Sequence, residues 1–167
     1  FKANYPKEYE LYLGQLKKLG VNKIISVSFG ADITTWAYIK YIKEHDFLGG
    51  ISQPCPAVVE YIEKYVPELL PKLIPIHSPM MCSAIYLKKY LNITDQLAFL
   101  SPCIAKKNEI DDINTKGMIS YNVTFEHLVH FLRENPVNNA TPYTDEIEYG
   151  LGSIYPMPGG LKENVYW

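Results

Sequence analysis

Apolar residues along this 167-residue chain follow two rhythms, and the switches between them mark out its elements. Residues 6–20 ("PKEYELYLGQLKKLG") carry apolar positions at helical spacing, with Pro6 at the first turn and Gly20 as the stop. Residues 21–28 ("VNKIISVS") predict a buried strand, and Phe29-Gly30-Ala31 turns the chain into a helix from Asp32, its N-cap, to about Glu44. "FLGGIS" (47–52) predicts a short strand, and residues 56–65 a helix with proline at its first turn. Prolines divide residues 66–78 into short turns before a helix from Pro79 to about Leu91. "QLAFLS" (96–101) is the strongest strand pattern, and "GMISYNVT" (117–124) a further one. Thr124 caps a helix reaching about Glu134. Residues 135–158 are rich in Gly, Pro, Asn and Thr and read as irregular, and a last helix begins near Gly160.

Strands alternating with helical stretches of about ten to fifteen residues predict an α/β fold, a parallel β-sheet flanked by helices. With 47% hydrophobic residues the chain can build a core without disulfides. Its formal charge of −2 offers no basic footprint for nucleic acid or an anionic membrane surface. No apolar stretch approaches the roughly 20 residues that span a bilayer. The reading is therefore a cytoplasmic protein with no membrane span and no nucleic-acid partner. A first residue of Phe1 and a last of Trp167, within a helical pattern, predict an excerpt of a longer protein.

The candidate chemistry lies in two matched junctions. "ISQPCPAVVEY" places Pro54-Cys55 after one predicted strand, and "LAFLSPCIAKKNEI" places Pro102-Cys103 after another. In open parallel sheets, sites assemble outside the carboxyl ends of strands. Cys55 also precedes a helix N-terminus, whose dipole favours a thiolate, and Lys106 and Lys107 bring positive charge close behind Cys103. Thiolates so placed can act as nucleophiles or as soft ligands for iron or zinc. A single buried cysteine at a strand end is commonly just a small core residue, but two in matched contexts favour a site. Two thiolates do not complete one, since a four-iron cluster takes four cysteines and a structural zinc four ligands. Cys82 falls on the apolar face of its helix with Ile85 and Tyr86 and reads as core. His127 and His130 lie opposite the stripe of Phe125, Leu128, Val129 and Leu132 and read as solvated; His45 closes a helix, and His77 lies in a proline-rich turn.

These segments resemble the catalytic domain of the iron-only ([FeFe]) hydrogenases. "ISQPCPAV" and "SPCIAKKNE" are similar to the family's motifs T-S-C-C-P-x-W and M-P-C-x-x-K-x-x-E, "VSFGADIT" to its F-G-A-D-L-T segment, and "YPMPGGLKE" to its Gly-Gly turn into a helix. Their order and spacing agree over nearly the whole chain. The resemblance implies one lobe of a two-lobe hydrogenase catalytic domain, residues 1–167 being a partial H-cluster domain whose third cysteine motif lies beyond residue 167. It implies that Cys55 and Cys103 are two of four ligands to a [4Fe-4S] cluster, one of whose four ligands is shared with a two-iron unit carrying CO and cyanide. Lys106 matches the lysine that hydrogen-bonds a cyanide, Glu109 the glutamate paired with it, and Pro102 a shaper of the approach to the two-iron unit. Ser78 and Pro79 match a Ser-Pro lining the same pocket, and Gly159 and Gly160 the nearby Gly-Gly turn.

Departures from the family pattern are as informative. Pro54 stands where efficient members have a proton-relaying cysteine. Tyr38 and Tyr41, or their neighbours, align with the relay carboxylates, Ile74 with a relay serine, Ser101 with the methionine beneath the bridging CO, and Val58 with the tryptophan of the first motif. Tyrosines with a pKa of about 10 are poor shuttles at neutral pH. These changes resemble the divergent branch of the family assigned to hydrogen sensing. The expectation is an H-cluster domain for reversible H2 cleavage or sensing in an anaerobe, inactive and without an intact cluster as the excerpt alone. It carries further expectations: an upstream ferredoxin-like segment, downstream signalling modules, and a dimer through the exposed lobe interface. A related reading is an iron–sulfur assembly or electron-transfer protein holding only a [4Fe-4S] cluster. A thiol enzyme with Cys55 or Cys103 as nucleophile would need a nearby base, which the sequence does not supply.

Overall fold

The computed structural model describes residues 1–47, 49–143 and 151–162. Its centre is a parallel pair, β1 (Ala98–Ser101) and β2 (Tyr121–Thr124), in a register that sets Ser101 opposite Thr124 and Phe99 opposite Asn122. Side chains alternate between the two faces of a strand. Leu97 and Phe99 therefore pack into a cluster with Met80, Met81, Ala84, Ile110 and Ile119. Leu100 and Val123 join a second cluster of Tyr12, Leu128, Val129 and Leu132. Helices α4 (Pro79–Lys89) and α5 (Lys106–Asp111) cover one face; α1 (Tyr9–Lys18) and α6 (Phe125–Glu134) cover the other. This is the parallel α/β sandwich the alternation predicts, built on fewer strands.

The difference lies in pairing. Residues 21–28 form no ladder: 21–26 carry no regular secondary structure, and Ser28 already opens helix α2 (Ser28–His45). Of 47–52, Ile51 alone makes a strand-type contact, a parallel bridge to Leu73, while Leu48 lies outside the described residues. An apolar run shows that a segment can be buried on both sides, but a strand also needs a neighbour with free backbone groups. Asp32 is likewise not an N-cap. It sits one turn inside α2, where its carboxylate accepts the Gly152 N–H at 2.7 Å.

Other boundaries follow their sequence signals. Helix α3 (Pro56–Tyr65) starts at its N-terminal proline, and Ser78 and Thr124 cap α4 and α6 by accepting the N–H groups of Met81 and His127. Helix α1 begins at Tyr9, after Pro6, and Gly20 follows it with φ +99°, a conformation that stops a helix. Within 66–78 the prolines shape a 3₁₀ turn, Pro67–Lys72. The 3₁₀ turn Leu151–Ile154 sits on α2, where Gly152 approaches so closely that a Cβ there would lie 1.9 Å from the Ser28 carbonyl oxygen. Gly160 starts a helical turn as expected; its continuation past Lys162 lies outside the described residues, as does 144–150 of the irregular segment. No helix among the described residues is long and apolar enough to cross a membrane.

Candidate active site

Cys55 is the N-cap residue of α3, half-buried, with its carbonyl accepting the Val58 N–H at 3.0 Å. Cys103 follows β1 and is also half-buried, and both thiols are free. The two junctions are stitched together by Lys106. Its ammonium donates to the Pro54 carbonyl at 2.8 Å and to Glu109 Oε2 at 2.6 Å. Both side chains of that ion pair are about 15% exposed, so the pair is largely withdrawn from water. A cation donating to a carbonyl and a carboxylate at once makes strong charge-assisted hydrogen bonds. A surface i, i+3 pair would look different: Lys107 and Asp111, one step around α5, are 70% and 60% exposed. A second stitch, Asn108 to Glu60, joins α5 to α3.

Helix α2 holds the remaining loops from behind. The Tyr38 hydroxyl, on a side chain 2% exposed, accepts the Gln53 N–H at 2.9 Å and the Ser52 hydroxyl at 3.3 Å, so it anchors the strand-to-helix turn ahead of Cys55. Burial pushes its pKa up, partly offset by those donors. Thr34 donates to its own helix at Gly30 O and lies 3.3 Å from the His77 carbonyl, tying α2 to the Ser78-Pro79 turn. Ser78 is 2% exposed, and Pro79 is the first residue of α4. Gly30 lets α2 and α4 meet: a Cβ there would stand 2.1 Å from both the Pro79 carbonyl and the Ser83 hydroxyl.

Ser101, 1% exposed, does not present its hydroxyl to a pocket. Its Oγ accepts the Cys103 N–H at 3.1 Å and lies 3.0 Å from the Cys103 carbonyl and 3.1 Å from Asn122 Oδ1. Pro102, between them, is exposed. Gly159 has φ +80°, and buried Gly160 packs on Ile154. These glycines belong to the 151–160 segment, whose described packing is against α2, and no described contact places them beside either cysteine. Tyr41 stacks on His45 and packs on Phe47, and Ile74 is core. Val58, where the resemblance has a tryptophan, is 41% exposed.

Cys82 is half-buried beside the wall of α2. Burial pushes its thiol pKa up, with the neighbouring Thr34 hydroxyl pulling the other way, and its Sγ lies 3.6 Å from the His77 carbonyl. His127 bonds Thr124 and His130 pairs with Glu134 on the open face of α6, as the apolar stripe predicts. Among the described residues no three His, Cys, Asp or Glu side chains gather as a metal site. The donor set is thus two thiols with an adjoining ammonium. It suits half of a four-cysteine site.

Three features escaped the sequence reading: the short helix α5 that presents Lys106; Asn122, whose Nδ2 donates to the Cys103 carbonyl; and Tyr155. The Tyr155 hydroxyl is buried without a hydrogen-bond partner among the described residues, and burial pushes its pKa upward. Asn122 did carry a signal, because asparagine is depleted within strands and this one sits inside a four-residue strand.

Comparison with known proteins gives a consistent result. The family model described as "iron only hydrogenase large subunit, C-terminal domain" matches residues 1–166. Iron hydrogenase 1 of Clostridium pasteurianum is 26% identical over 170 residues, covering 89% of this chain and 29% of that protein. Among solved structures, a variant of the [FeFe]-hydrogenase HydA1 from Chlamydomonas reinhardtii aligns with a TM-score of 0.68 at 22% identity, over 85% of this chain and 41% of that one. HydA(deltaEFG), whose structure revealed stepwise assembly of the H-cluster, aligns at 0.69 and 23%, over 85% and 40%. At those identities the solved structures speak for the fold. The chain spans less than a third of the curated relative and about two fifths of the solved chains.

Proposed function

This chain belongs to the iron-only hydrogenase large-subunit family, C-terminal domain, and from that premise we propose that it is the half of an H-cluster domain that supplies two cluster ligands. Cys55 and Cys103 are those ligands, and the remaining half of the same domain contributes the other two. The observation that carries this reading is the Lys106 stitch, which ties the two Pro-Cys junctions through one largely buried cation. When bound there, the cluster with its two-iron unit would supply heterolytic H2 cleavage. The chain's own part is to hold the two thiolates and to orient Lys106. Two of the three ammonium N–H groups are spent on Pro54 and Glu109, leaving the third for an anion at the site. Glu109 keeps that ammonium in place, and Ser78, Pro79 and Pro102 shape the surrounding turns.

The sensing role belongs to the same proposal. Its support is the neutral character of the positions that would pass protons: Pro54 has no proton to give, and Tyr38 is buried with its hydroxyl engaged by Gln53 and Ser52. A cytoplasmic setting in an anaerobe, a ferredoxin-like segment upstream and signalling modules downstream follow from it. On this reading the chain alone is inactive, and a dimer through the lobe interface is its expected association state.

The test is an infrared spectrum of the full-length protein, purified anaerobically from a host with the hydrogenase maturation machinery. Sharp CO and cyanide stretching bands, absent from a Cys103→Ser variant, are the expected result. A [4Fe-4S] signal without such bands would overturn the two-iron part and favour an assembly or electron-transfer protein. An unaltered cluster in Cys55→Ser and Cys103→Ser would overturn the ligand assignment itself.

A further inference from the structure

We propose that Asn122 is a positioning residue for the Cys103 thiolate, acting with Ser101 as a closed polar clamp; this rests on the reading of Cys103 as a cluster ligand. The Asn122 Nδ2 donates to the Cys103 carbonyl at 2.9 Å, and its Oδ1 lies 3.1 Å from the Ser101 hydroxyl. The same hydroxyl oxygen accepts the Cys103 N–H at 3.1 Å. Both backbone polar groups of Cys103 are thereby pinned by side chains from two adjacent strands, since Ser101 ends β1 and Asn122 stands in β2. With N–H and carbonyl fixed, the peptide planes on either side of the Cys103 Cα cannot rotate, and the Cα–Cβ direction toward Sγ is set.

The arrangement also explains a departure in the motif. The resemblance places Ser101 where the family has a methionine beneath the two-iron unit, a place for a side chain that reaches outward. Here the side chain is short and 1% exposed, and its hydroxyl turns back onto the loop. The single Ser101 hydroxyl proton has two acceptors in reach, the Cys103 carbonyl at 3.0 Å and Asn122 Oδ1 at 3.1 Å. Asn122 donates to the same carbonyl through nitrogen and offers the serine an acceptor through oxygen, so the carbonyl keeps a donor whichever way the hydroxyl turns. The two residues share one hydrogen-bond network around Cys103. A consequence follows for the cluster. The Cys103 N–H, occupied by Ser101, is withheld from any sulfur, and hydrogen bonds to sulfur are among the terms that set cluster potentials.

The experiment uses the full-length protein, reconstituted anaerobically with iron and sulfide, and compares Asn122→Leu, Ser101→Ala, the double variant and Cys103→Ser. Asn122→Leu keeps size and Ser101→Ala removes one atom, so each can fold where the other fails; far-UV circular dichroism checks this. Residues that orient a ligand typically contribute about 10–100-fold to metal retention, so each single variant should lose its cluster to a ferrous chelator about that much faster. The double variant should be no worse than the worse single one, as expected for groups in one network. Ser101→Ala should also move the cluster midpoint potential to more positive values in an EPR-monitored titration, because the freed N–H can turn to sulfur. Filling space alone would not move it. The clamp is overturned if the single effects simply add, or if chelation rate and potential stay unchanged while Cys103→Ser loses the cluster. If Cys103→Ser keeps an unaltered cluster, the ligand reading fails first and the clamp with it.

Discussion

Lys106→Met removes the ammonium that joins the two Pro-Cys junctions while keeping most of the side-chain volume. Two acceptors lose their partner: the Pro54 carbonyl at 2.8 Å and Glu109 Oε2 at 2.6 Å. A hydrogen bond to a charged group is worth about 1.5–3 kcal/mol, and stripping a buried ion pair of one partner costs about 3–5 kcal/mol. The pair is about 15% exposed, so water re-solvates part of the stranded carboxylate and the lower end applies. We expect a cost of about 2–3 kcal/mol in the local opening of this region. Because 1.4 kcal/mol is a factor of ten, that is a rise of about 30- to 150-fold in amide hydrogen exchange. Measured by mass spectrometry, it should appear together in peptides covering 51–58 and 103–110. Lys107→Met, which breaks the exposed pair with Asp111, should change exchange by no more than about fivefold, as exposed pairs are worth about 0.2–1 kcal/mol. Faster exchange confined to 103–110, with 51–58 unchanged, would refute the claim that Lys106 couples the two junctions.

Gly30→Ala drives a Cβ to 2.1 Å from Pro79 O and Ser83 Oγ, and should destabilise the α2–α4 contact by about 1–3 kcal/mol or more, read as a fall in the thermal midpoint. Tyr38 has a raised pKa, so the unfolded chain ionises first: its stabilising contribution is full below about pH 10 and is lost as pH rises through the higher folded value. Tyr38→Phe should therefore cost about 1–2 kcal/mol near neutrality, through the orphaned Gln53 N–H, and flatten the alkaline fall in a pH series of urea midpoints. Pro54→Cys keeps the carbonyl that Lys106 uses and adds a thiol; if missing proton transfer limits turnover, H2 production by the full-length protein should rise at least tenfold with the infrared bands unchanged.

Much of the layered fold could be read from the chain because helix signals are local. Pro56, Thr124 and Gly20 act through their own backbone angles or a hydrogen bond three residues away, and each boundary falls where its residue predicts. Strands were legible only where a partner exists. Residues 96–101 and 117–124 pair because the crossover through α5 brings them side by side, whereas the apolar run 21–28 meets no strand partner among the described residues. The cysteine junctions were visible as a repeated Pro-Cys. Their linkage was not, since Lys106 reaches back 52 positions to Pro54, a distance over which periodicity carries no information. Asn122 was hidden for the same reason: its meaning appears only when β2 lies against β1.

The departures from the family motif share a physical character once the contacts are known. Tyr38, Pro54 and Ser101 stand where the resemblance has a carboxylate, a thiol and a thioether. In this chain the tyrosine hydroxyl holds Gln53 and Ser52, the proline carbonyl holds Lys106, and the serine hydroxyl holds Cys103. Each engages a junction or an anchor of one. Groups committed in this way are costly to reorganise, because moving any of them strands a buried donor or acceptor. Proton relay requires the opposite, a group that gives up and regains hydrogen bonds at every turnover. Sensing requires only that the pocket hold its shape while occupancy changes. On the proposed reading, a site whose Tyr38 and Pro54 are spent on fixing the two cysteine junctions is better suited to slow, geometry-preserving binding than to rapid turnover, and this is the physical ground on which the sensing proposal rests.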